Sequence, residues 1–588
     1  MVNQRGVVMY FAFIGGILLL MLFIATRIGG NKNLNIKAKT VGDGQHGTAR
    51  WASPSELAAA YRKVPYLPQK WRAGIDRPTE PGILVGSTKM LGYYQAWVDT
   101  ARVHALMIAS PDAGKTAHFL YPNIEYALAS GVSFIALDTK GDLYRNMGTI
   151  GERYYDFQTV VYDLRNPIRS DCNNLMFLVN RYVDRYKESG ELAYQARAER
   201  YAKIIAKTII MAGTAGMDLG ANTFFYDAAE GLVTAATLVL AEFGEPDSRH
   251  IVSVIRLLHG AANGGQEGKS PFAKLLEKLP EGHKARWFAA AALSAPDEAL
   301  ASVLSTALSR MNAFLDSELE QMLCFDNKVT MEEFVEHPTA IYIVLPEEDE
   351  TKYFAVSLMI QQMQRELIAL ADEKGGCLPK KVLCFYDELG TVPKIQGLLH
   401  MFSAIRSRNV SLVGILQGVS QLQETYGANG AETILDCCQV ILAGGFGPMA
   451  STAEKISELL NTKTVMSGSV STNREGSQQT LQMADSPLMR PNELRILPKG
   501  SFILMKTGVR PCITKLPLFT RWGIELEEAY EVQRKAPRKV TYAALTELAR
   551  NIRKQSRVSE SAGMQGAMAE KPQETVALRT GKVRLRTR

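Results

Sequence analysis

Short runs of apolar residues recur along most of the chain, and each is followed by a loop. They are continuous and rich in β-branched side chains, which is typical of strands buried on both faces of a parallel sheet. Segments of helix length separate them, so the pattern predicts an α/β domain with helices over both faces of the sheet. The predicted strands cover residues 103–109, 132–138, 159–164, 340–346, 382–387, 410–417, 439–444 and 501–505.

A different pattern occupies roughly residues 185–330. This part is rich in Ala, Leu, Glu, Lys and Arg at helical spacing, for example over 191–203 and 299–311, and these residue types are strong helix formers. The simplest interpretation is one α/β domain interrupted by an all-helical insertion. The predicted boundaries are 1–45 for an anchor and linker, 46–180 and 336–532 for the two parts of the α/β domain, 181–335 for the all-α domain and 533–588 for a basic, flexible tail.

The N-terminal part contains a stretch of 20 residues without a charge, over 7–26. A helix of that length spans roughly 30 Å, the thickness of a bilayer core. A signal peptide has a shorter apolar stretch of about 7–15 residues, and a buried core helix is the other alternative, so a retained membrane anchor is favoured. Arg5 precedes the stretch, whereas Arg27, Lys32, Lys37 and Lys39 follow it. The positive-inside rule therefore predicts one membrane pass with a large cytoplasmic C-terminal part.

The charge of the chain is concentrated at its C-terminus. The whole chain has a net charge of +7, but residues 534–588 alone have a net charge of +10, which leaves the body at −3. Such a tail suits contact with nucleic-acid phosphates, and a solvated C-terminus or a contact with the anionic membrane surface are the alternatives. The seven cysteines form no CxxC motif, which favours a reducing compartment and disfavours a cysteine-ligated zinc site.

The strand over 103–109 leads into an imperfect phosphate-binding loop. A P-loop needs backbone N–H groups around phosphates, a lysine for the β/γ oxygens and a hydroxyl for Mg²⁺. Gly114, Lys115 and Thr116 match the last three positions of GxxxxGK[ST], whereas the first glycine is replaced by Ala109. An ordinary glycine turn is the alternative. The candidate loop consists of Ala109, Ser110, Pro111, Asp112, Ala113, Gly114, Lys115 and Thr116.

A second strand end supplies the acids that such a loop needs. The strand over 382–387 ends in Asp387 and Glu388. In P-loop ATPases the first acid holds Mg²⁺ and the second activates the attacking water. We expect this strand to lie directly beside the P-loop strand. An exposed acidic turn is the alternative, but both halves together at strand ends favour nucleotide hydrolysis.

The segment 400–417 adds two further candidates. Arg406 lies just before a predicted strand, and Gln417 ends that strand. Such a glutamine can sense the γ-phosphate, and such an arginine can reach the phosphates of a neighbouring subunit. Taken alone, each is as well explained by a solvated or nucleic-acid-facing surface, or by an ordinary polar residue at a strand end.

The ordered set of motifs resembles the type IV secretion coupling proteins, which are the conjugative DNA-transfer ATPases. The resemblance covers about 46–520, and the order of the motifs is more specific than any one of them. The matching segments are 46–52, 109–116, 138–144, 171–175, 223–232, 387–390, 406–417, 420–427 and 487–500.

The resemblance implies a membrane-anchored, RecA-like P-loop ATPase with an all-α insertion, working as a homo-hexamer with ATP and Mg²⁺. It implies that relaxase and transferred DNA are recruited and fed to the channel proteins of the secretion system at the bacterial cell membrane. The family's P-loop lysine and hydroxyl fall on Lys115 and Thr116, and its Mg²⁺-binding acid falls on Asp387. Its catalytic acid falls on Glu388, its trans-acting arginine on Arg406 and its strand-end glutamine on Gln417.

Two departures from the family are visible. Many members have two transmembrane helices, whereas one is predicted for this chain. Many also have glycine at the position of Ala109. The main alternative is therefore a membrane receptor that docks relaxase and DNA without efficient nucleotide turnover. Ala109 and Pro111 favour that alternative, whereas Asp387, Glu388 and Gln417 favour a translocating ATPase. A chromosome-pumping ATPase of related fold is disfavoured by the matches at 138–144 and 487–500.

Overall fold

The fold is described from a computed structural model. The structure describes residues 44–211, 220–262, 270–345, 352–390, 392, 394–395, 397–448, 451–473, 476–555 and 557. The predicted membrane segment 7–26 lies outside the described residues. The described residues fall into two compact units, one within 53–447 and 497–588, the other within 1–52 and 448–496.

The larger unit is built on a nine-stranded mixed sheet. Seven of its strands are mutually parallel, and the last two pair antiparallel at one side. All eight predicted strands are present in this sheet. The order across it is β14-β13-β10-β4-β9-β8-β5-β7-β6. The strands are β4 Ala105–Ala109, β5 Phe134–Asp138, β6 Gln158–Asp163, β7 Thr339–Val344, β8 Val382–Tyr386, β9 Val410–Leu416, β10 Val440–Gly444, β13 Ser501–Lys506 and β14 Val509–Lys515.

The expected adjacency of the P-loop strand and the acidic strand is wrong. Strand β9 lies between β4 and β8: Leu106 of β4 pairs with Gly414, and Cys384 of β8 pairs with Leu412. All seven residues of β9 are buried, and an apolar strand of that kind is stable only with neighbours on both sides. A Cβ at Gly414 would lie 2.8 Å from Leu106 Cδ2 and 2.9 Å from Leu389 Cδ2, so glycine allows close packing at the middle of the sheet.

A smaller antiparallel sheet of three strands packs beside the large one in the same unit. Its order is β1-β3-β2, and the backbone of β2 is fixed by Asn123, whose Oδ1 accepts from Leu84 N at 2.8 Å. The three strands are β1 Arg62–Tyr66, β2 Ile83–Lys89 and β3 Tyr94–Asp99.

Helices cover the faces of the large sheet. A π-helix over Thr116–Leu120 begins directly after the candidate P-loop and continues into the first of the long helices that follow. The helices outside the all-helical part of this unit are α1 Pro54–Ala60, α2 Pro68–Arg72, α3 Tyr121–Ala129, α4 Asp142–Tyr155, α14 Tyr353–Glu373, α15 Leu398–Ala404 and α16 Val419–Cys437.

The chain between β6 and β7 is helical. Some of its helices begin at side-chain caps: the Asp316 side chain accepts from Glu318 N and Leu319 N, and Thr330 forms a capping box with Glu333. They are α5 Phe177–Ser189, α6 Leu192–Ile210, α7 Thr223–Phe243, α8 Ile251–Ala262, α9 Pro271–Leu276, α10 Lys284–Leu293, α11 Asp297–Met311, α12 Ser317–Leu323 and α13 Met331–Glu336.

Helix α7 is the one described helix that is long and apolar enough to cross a bilayer. However, 67% of its apolar window is buried inside the protein, and it lies in the middle of the helical part. This is the behaviour of a core helix, and α7 is therefore no evidence for a membrane span.

The first half of the predicted tail packs on the body of the larger unit. Lys535 Nζ lies 3.7 Å from Asp171 Oδ1, and the Arg538 guanidinium stacks 3.5 Å above the Phe325 ring. A final helix over 545–555 buries Leu548 and Ile552. This packing differs from the mobile segment that the charge pattern predicts, because two apolar side chains one helical turn apart are buried against the body. Residues 558–588 lie outside the described residues.

The smaller unit is a long two-stranded hairpin with two helices. Residues 44–52 run along its first strand, where Thr462 Oγ1 donates to His46 O at 3.0 Å. A Cβ at Gly47 would lie 2.3 Å from Thr462 O, which explains why glycine occupies this position. The elements are β11 Thr462–Asn473, β12 Gly476–Pro487, α17 Thr452–Leu460 and α18 Pro491–Arg495.

Candidate functional site

The loop after β4 has the backbone shape that the sequence predicts for phosphate binding. Two of its residues adopt left-handed conformations, Asp112 with φ 62° and Gly114 with φ 78°. A Cβ at Gly114 would lie 2.5 Å from His118 Cδ2, so only glycine fits there. The loop therefore turns sharply and delivers Lys115 and Thr116 to the start of the π-helix.

Alanine at the first loop position fits this backbone without strain. Ala109 is the last residue of β4, is fully buried and is absent from the positions with positive φ. The neighbouring Ser110 N donates to Gly445 O at 3.1 Å, and the Ser110 hydroxyl donates to the same oxygen. The start of the loop is thus held by strand β10 and the residue after it.

Lys115, Glu388 and Gln417 meet at the carboxyl ends of β4, β8 and β9. Lys115 Nζ lies 2.9 Å from Glu388 Oε1, and Gln417 Nε2 donates to Glu388 Oε2 at 3.0 Å. Both Lys115 and Glu388 are largely buried, with 8% and 15% of their side chains exposed. We call this set the Lys115–Glu388–Gln417 cluster. It results from the order of the sheet, because β9, which ends just before Gln417, lies between the strands that lead to Lys115 and Glu388.

Asp387 lies beside this cluster as a buried acid with an unused oxygen. Burial and the negative charge of Glu388 together raise the pKa of Asp387 to about 7, although the Lys115 ammonium opposes them. No residue that the structure describes donates a hydrogen bond to its Oδ1. A buried carboxylate oxygen without a donor is costly, so this position is suited to an oxygen-binding cation such as Mg²⁺.

Glu388 occupies a strained backbone position. Its φ is 54°, a region that residues with side chains rarely adopt. The turn is held on both sides, since Leu389 N donates to Ile415 O at 2.9 Å and Val392 N donates to Glu388 O at 3.0 Å. Strain of this kind is concentrated at functional sites, and here it turns the Glu388 carboxylate towards Lys115 and Gln417.

A third acid lies at the same end of the sheet, Asp138, and its carboxylate stabilises the local backbone. Its two oxygens accept from the backbone N–H groups of four residues: Gly141 at 2.7 Å, Asp142 at 3.2 Å, Leu143 at 2.8 Å and Tyr144 at 3.2 Å. Burial raises the pKa of Asp138 to about 6, and these hydrogen bonds oppose that rise. The segment 138–144 is therefore a cap for the start of α4.

Arg406 lies far from the cluster within its own chain. It is exposed in the turn directly before β9, whereas Gln417 directly follows that seven-residue strand, so the two are roughly 25 Å apart along it. The nearby Arg408 forms an ion pair with Asp372, 2.9 Å apart. The structure thus brings together Lys115, Asp387, Glu388 and Gln417, but it does not bring Arg406 to them.

Two positions that support the site were not anticipated. His118 lies under the loop, where its ring contacts Gly114 and its Nδ1 donates to Leu516 O at 2.6 Å. Gly445, with φ 61°, accepts from Ser110, and a Cβ there would lie 2.5 Å from Ala113 Cβ. The GlyGlyPheGly run over 444–447 was the available sequence signal for Gly445, whereas a single histidine after a P-loop carries none.

Solved structures with the same fold include a conjugative coupling protein of bacteria, TrwB. The unbound form of the conjugative coupling protein TrwB, named TrwBdeltaN70, matches with a TM-score of 0.51 and 16% identity, over 82% of this chain and 97% of that one. TrwB in complex with the non-hydrolysable ATP analogue ADPNP matches with a TM-score of 0.51 and 15% identity, over 81% and 97%. At such identities the likeness establishes the fold alone.

The sequence itself is placed by a family model. No curated protein sequence matches the chain. The model described as "Type IV secretory system Conjugative DNA transfer" matches residues 50–546, which is most of the chain. The protein is therefore a member of the type IV secretory system conjugative DNA transfer family.

Proposed function

We propose that this protein is a membrane-anchored ATPase that recruits a relaxase–DNA substrate and couples it to a type IV secretion channel during conjugation. Family membership supports the part in DNA transfer. The single observation that carries the enzymatic part is the Lys115–Glu388–Gln417 cluster beside the orphaned Asp387 oxygen. A receptor that only binds its cargo has no need of an acid pair, a lysine and a glutamine in contact.

The loop Ala109–Thr116 is the proposed nucleotide site. TrwB has been solved with ADPNP, and the fold shared with it supports the same ligand class here. The backbone conformation of Asp112 and Gly114 supplies the turn, and alanine at 109 causes no strain there. We therefore propose ATP as the substrate.

Mg²⁺ is the proposed cofactor, and the residues present fit it. Asp387 has a buried oxygen free of donors, and Thr116 has a hydroxyl at the start of the helix. These two residues would hold the ion. When bound, Mg²⁺ neutralises charge on the phosphate oxygens.

Side chains of the protein itself are assigned to phosphate binding, to activation of water and to the contact with a neighbouring subunit. Lys115 is in position to leave Glu388 for the phosphates, which frees the Glu388 carboxylate to accept a proton from a water molecule. Gln417 contacts the same carboxylate, so it orients the base and reports its state to β9. Arg406 is exposed at the opposite end of β9, and we propose that it acts on the nucleotide of a neighbouring subunit in a homo-hexamer.

The remaining elements are assigned by the sequence. We propose that residues 7–26 anchor the chain in the bacterial cell membrane, that the helices between β6 and β7 form the all-α domain over 181–335, and that this domain and the basic tail contact the relaxase–DNA complex. The boundaries at 46–180, 336–532 and 533–588 belong to the same proposal.

The test is ATP turnover by the purified protein with and without single-stranded DNA. We expect turnover that DNA stimulates, and we expect Lys115→Ala to abolish both the turnover and transfer in mating assays. Lys63→Ala is the control, because it removes an exposed lysine of strand β1 far from the cluster. Tight ATP binding without turnover in the wild type would instead support the receptor alternative.

A further inference from the structure

A cavity of about 410 Å³ lies between the helical part and helix α14, away from the nucleotide site. Its walls are formed by two tyrosines of α5 and α6, Tyr182 and Tyr201, whose rings stack 5.6 Å apart at an interplanar angle of 5°. Three arginines point into it: Arg197 and Arg200 of α6 and Arg365 of α14. Its size is that of a small-molecule site.

The two acids that line the cavity, Asp372 and Glu373, already have arginine partners. Glu373 Oε1 accepts from Arg197 at 2.8 Å, and Asp372 Oδ1 pairs with Arg408, which does not line the cavity, at 2.9 Å. Arg200, which is exposed, and Arg365, which is half-buried, have no hydrogen bond or ion pair with any residue in the described part of the chain. The Arg365 Nε atom is fully buried and has no acceptor.

An unpaired, partly buried guanidinium is an unfavourable arrangement in an isolated chain. Burial lowers the pKa of Arg365, the Tyr201 side chain opposes that shift, and the positive charge of Arg200 lowers the pKa further. The lining contains the acids Asp372 and Glu373, but each is paired with another arginine, so Arg365 and the exposed Arg200 leave the cavity with positive charge that an anion would neutralise.

We propose that this cavity binds the phosphate group of a nucleotide-sized ligand. Two unpaired guanidinium groups match a phosphate better than a carboxylate, because a phosphate monoester carries up to two negative charges and three acceptor oxygens. The rest of the cavity has room for the sugar or base. The phosphate belongs either to a free nucleotide, where it is a monoester, or to a nucleotide unit of DNA, where it is a diester with one negative charge and two free oxygens. Both are phosphate anions that guanidinium groups bind.

The binding test uses the full chain in detergent with Lys115→Ala, which removes the P-loop lysine as a competing phosphate site. Inorganic phosphate is the probe, and sodium chloride at equal ionic strength is the reference. We expect phosphate to raise the unfolding temperature of this protein, and we expect the added substitution Arg365→Met to reduce that rise by at least half. In the absence of phosphate, Arg365→Met should leave the unfolding temperature unchanged or higher, because it removes an unpaired charge.

Arg181→Met in the same background is the matched control. Arg181 is also an interior arginine near α14, but it is ion-paired with Glu366 at 3.0 Å and with Glu332. Its loss should lower the unfolding temperature and preserve the response to phosphate. The proposal is overturned if phosphate has no effect beyond ionic strength, or if Arg365→Met keeps the full response.

The source of the phosphate is distinguished by two further titrations. If Arg365→Met weakens binding of deoxyadenosine monophosphate only, the ligand is a free nucleotide. If it weakens binding of a single-stranded oligonucleotide without terminal phosphates, and the slope of log affinity against log salt falls by about one, the ligand is DNA. If both affinities are unchanged, the cavity is not a phosphate site.

Discussion

The two ends of the strands in the central sheet use their polar residues differently. At the amino ends, buried polar groups are bound to the backbone: Lys381 Nζ donates to Thr100 O and Ala101 O at 3.0 and 2.8 Å, and both ring nitrogens of His104 bond backbone atoms at 2.9 Å. At the carboxyl ends, Lys115, Glu388 and Gln417 contact mainly one another, and Asp387 keeps an unused oxygen.

The polar residues at the amino ends of the strands therefore stabilise the fold, whereas those at the carboxyl ends are suited to chemistry. Backbone carbonyls are fixed partners, so lysines bound to them are committed to the fold. Ionisable side chains that contact one another can exchange partners when a ligand arrives. We therefore expect substitutions at the carboxyl ends to change turnover, and substitutions at the amino ends to change stability. The predictions below test this rule.

Asp387→Asn should have the largest effect on turnover. It removes the acid assigned to Mg²⁺, so we expect ATP hydrolysis to fall by at least about 10³-fold. The unfolding temperature should stay the same or rise, because a buried carboxylate without a donor on Oδ1 is lost.

Asp138→Asn is the matched control at the same end of the sheet. Its carboxylate accepts four backbone N–H groups, and an amide retains only one oxygen for them. We expect about 1–3 kcal/mol of lost stability with turnover per folded molecule retained. Equal effects of the two substitutions on turnover would remove the distinction between these acids.

Arg406→Ala is the substitution that should break the rule, because Arg406 is exposed at an amino end but is assigned a catalytic role in a neighbouring subunit. We expect turnover of the assembled protein to fall by about 10³-fold without loss of stability. Mixing Arg406→Ala with Lys115→Ala protein should restore part of the activity at shared interfaces. The same mixture made with Arg408→Ala, whose arginine is paired with Asp372, should show no such dependence on mixing. Absence of recovery in confirmed mixed assemblies argues against a role in trans.

Glu388→Gln should separate binding from hydrolysis. The amide keeps the shape and the hydrogen-bonding capacity of the side chain but removes the base, so turnover should fall by about 10²–10³-fold while nucleotide affinity persists. Fluorescent-nucleotide titration and single-turnover hydrolysis measure the two quantities on the same sample. A parallel loss of both would assign Glu388 a structural role.

His104 provides the stability test at the amino ends. Its Nε2–H donates to Phe402 O and its Nδ1 accepts from Leu412 N, both at 2.9 Å, and burial lowers its pKa to about 4. Because the unfolded chain takes up a proton near pH 6.5 and the folded chain does so only near pH 4, stability should fall by roughly 3 kcal/mol over that window as the pH decreases. His104→Gln should lose this part of the pH dependence in denaturant titrations, with turnover at neutral pH retained. An unchanged pH profile would contradict the buried, neutral imidazole.

The smallest expected effect concerns DNA binding by the ordered half of the C-terminal segment. The helix over 545–555 and the residues after it form a groove of about 870 Å³, whose lining contains five cations and no acid: Lys278, Arg550, Arg553, Lys554 and Arg557. Replacing Arg550, Arg553 and Lys554 by Gln should lower the affinity for single-stranded DNA about tenfold and reduce the salt slope by roughly 2. Basal turnover should stay near normal. This variant is sharper than deletion of 534–588, which would also remove the buried Leu548 and Ile552.

The strands were predictable from the sequence because their apolar runs are continuous and flanked by loops. Their order was not, since an apolar run such as Val410–Leu416 indicates burial on both faces without indicating its neighbours. The family resemblance named Lys115 and Glu388 as site residues, but their contact joins positions 273 residues apart and follows only from the strand order. Asp138 and Asp387 look alike in the sequence, as acids after buried strands, and only the hydrogen bonds of the folded chain distinguish them.

In the ion pair between Lys115 and Glu388, the two charged groups of the site neutralise each other. The Lys115 ammonium, which would hold the phosphates, and the Glu388 carboxylate, which would activate water, pair with each other until nucleotide binds. Binding of a phosphate group must then break this ion pair, which lowers the affinity for nucleotide. It also favours release of the product, because the ion pair forms again. For the translocating ATPase that we propose, a lysine and an acid that pair again after each cycle would favour release of the spent nucleotide.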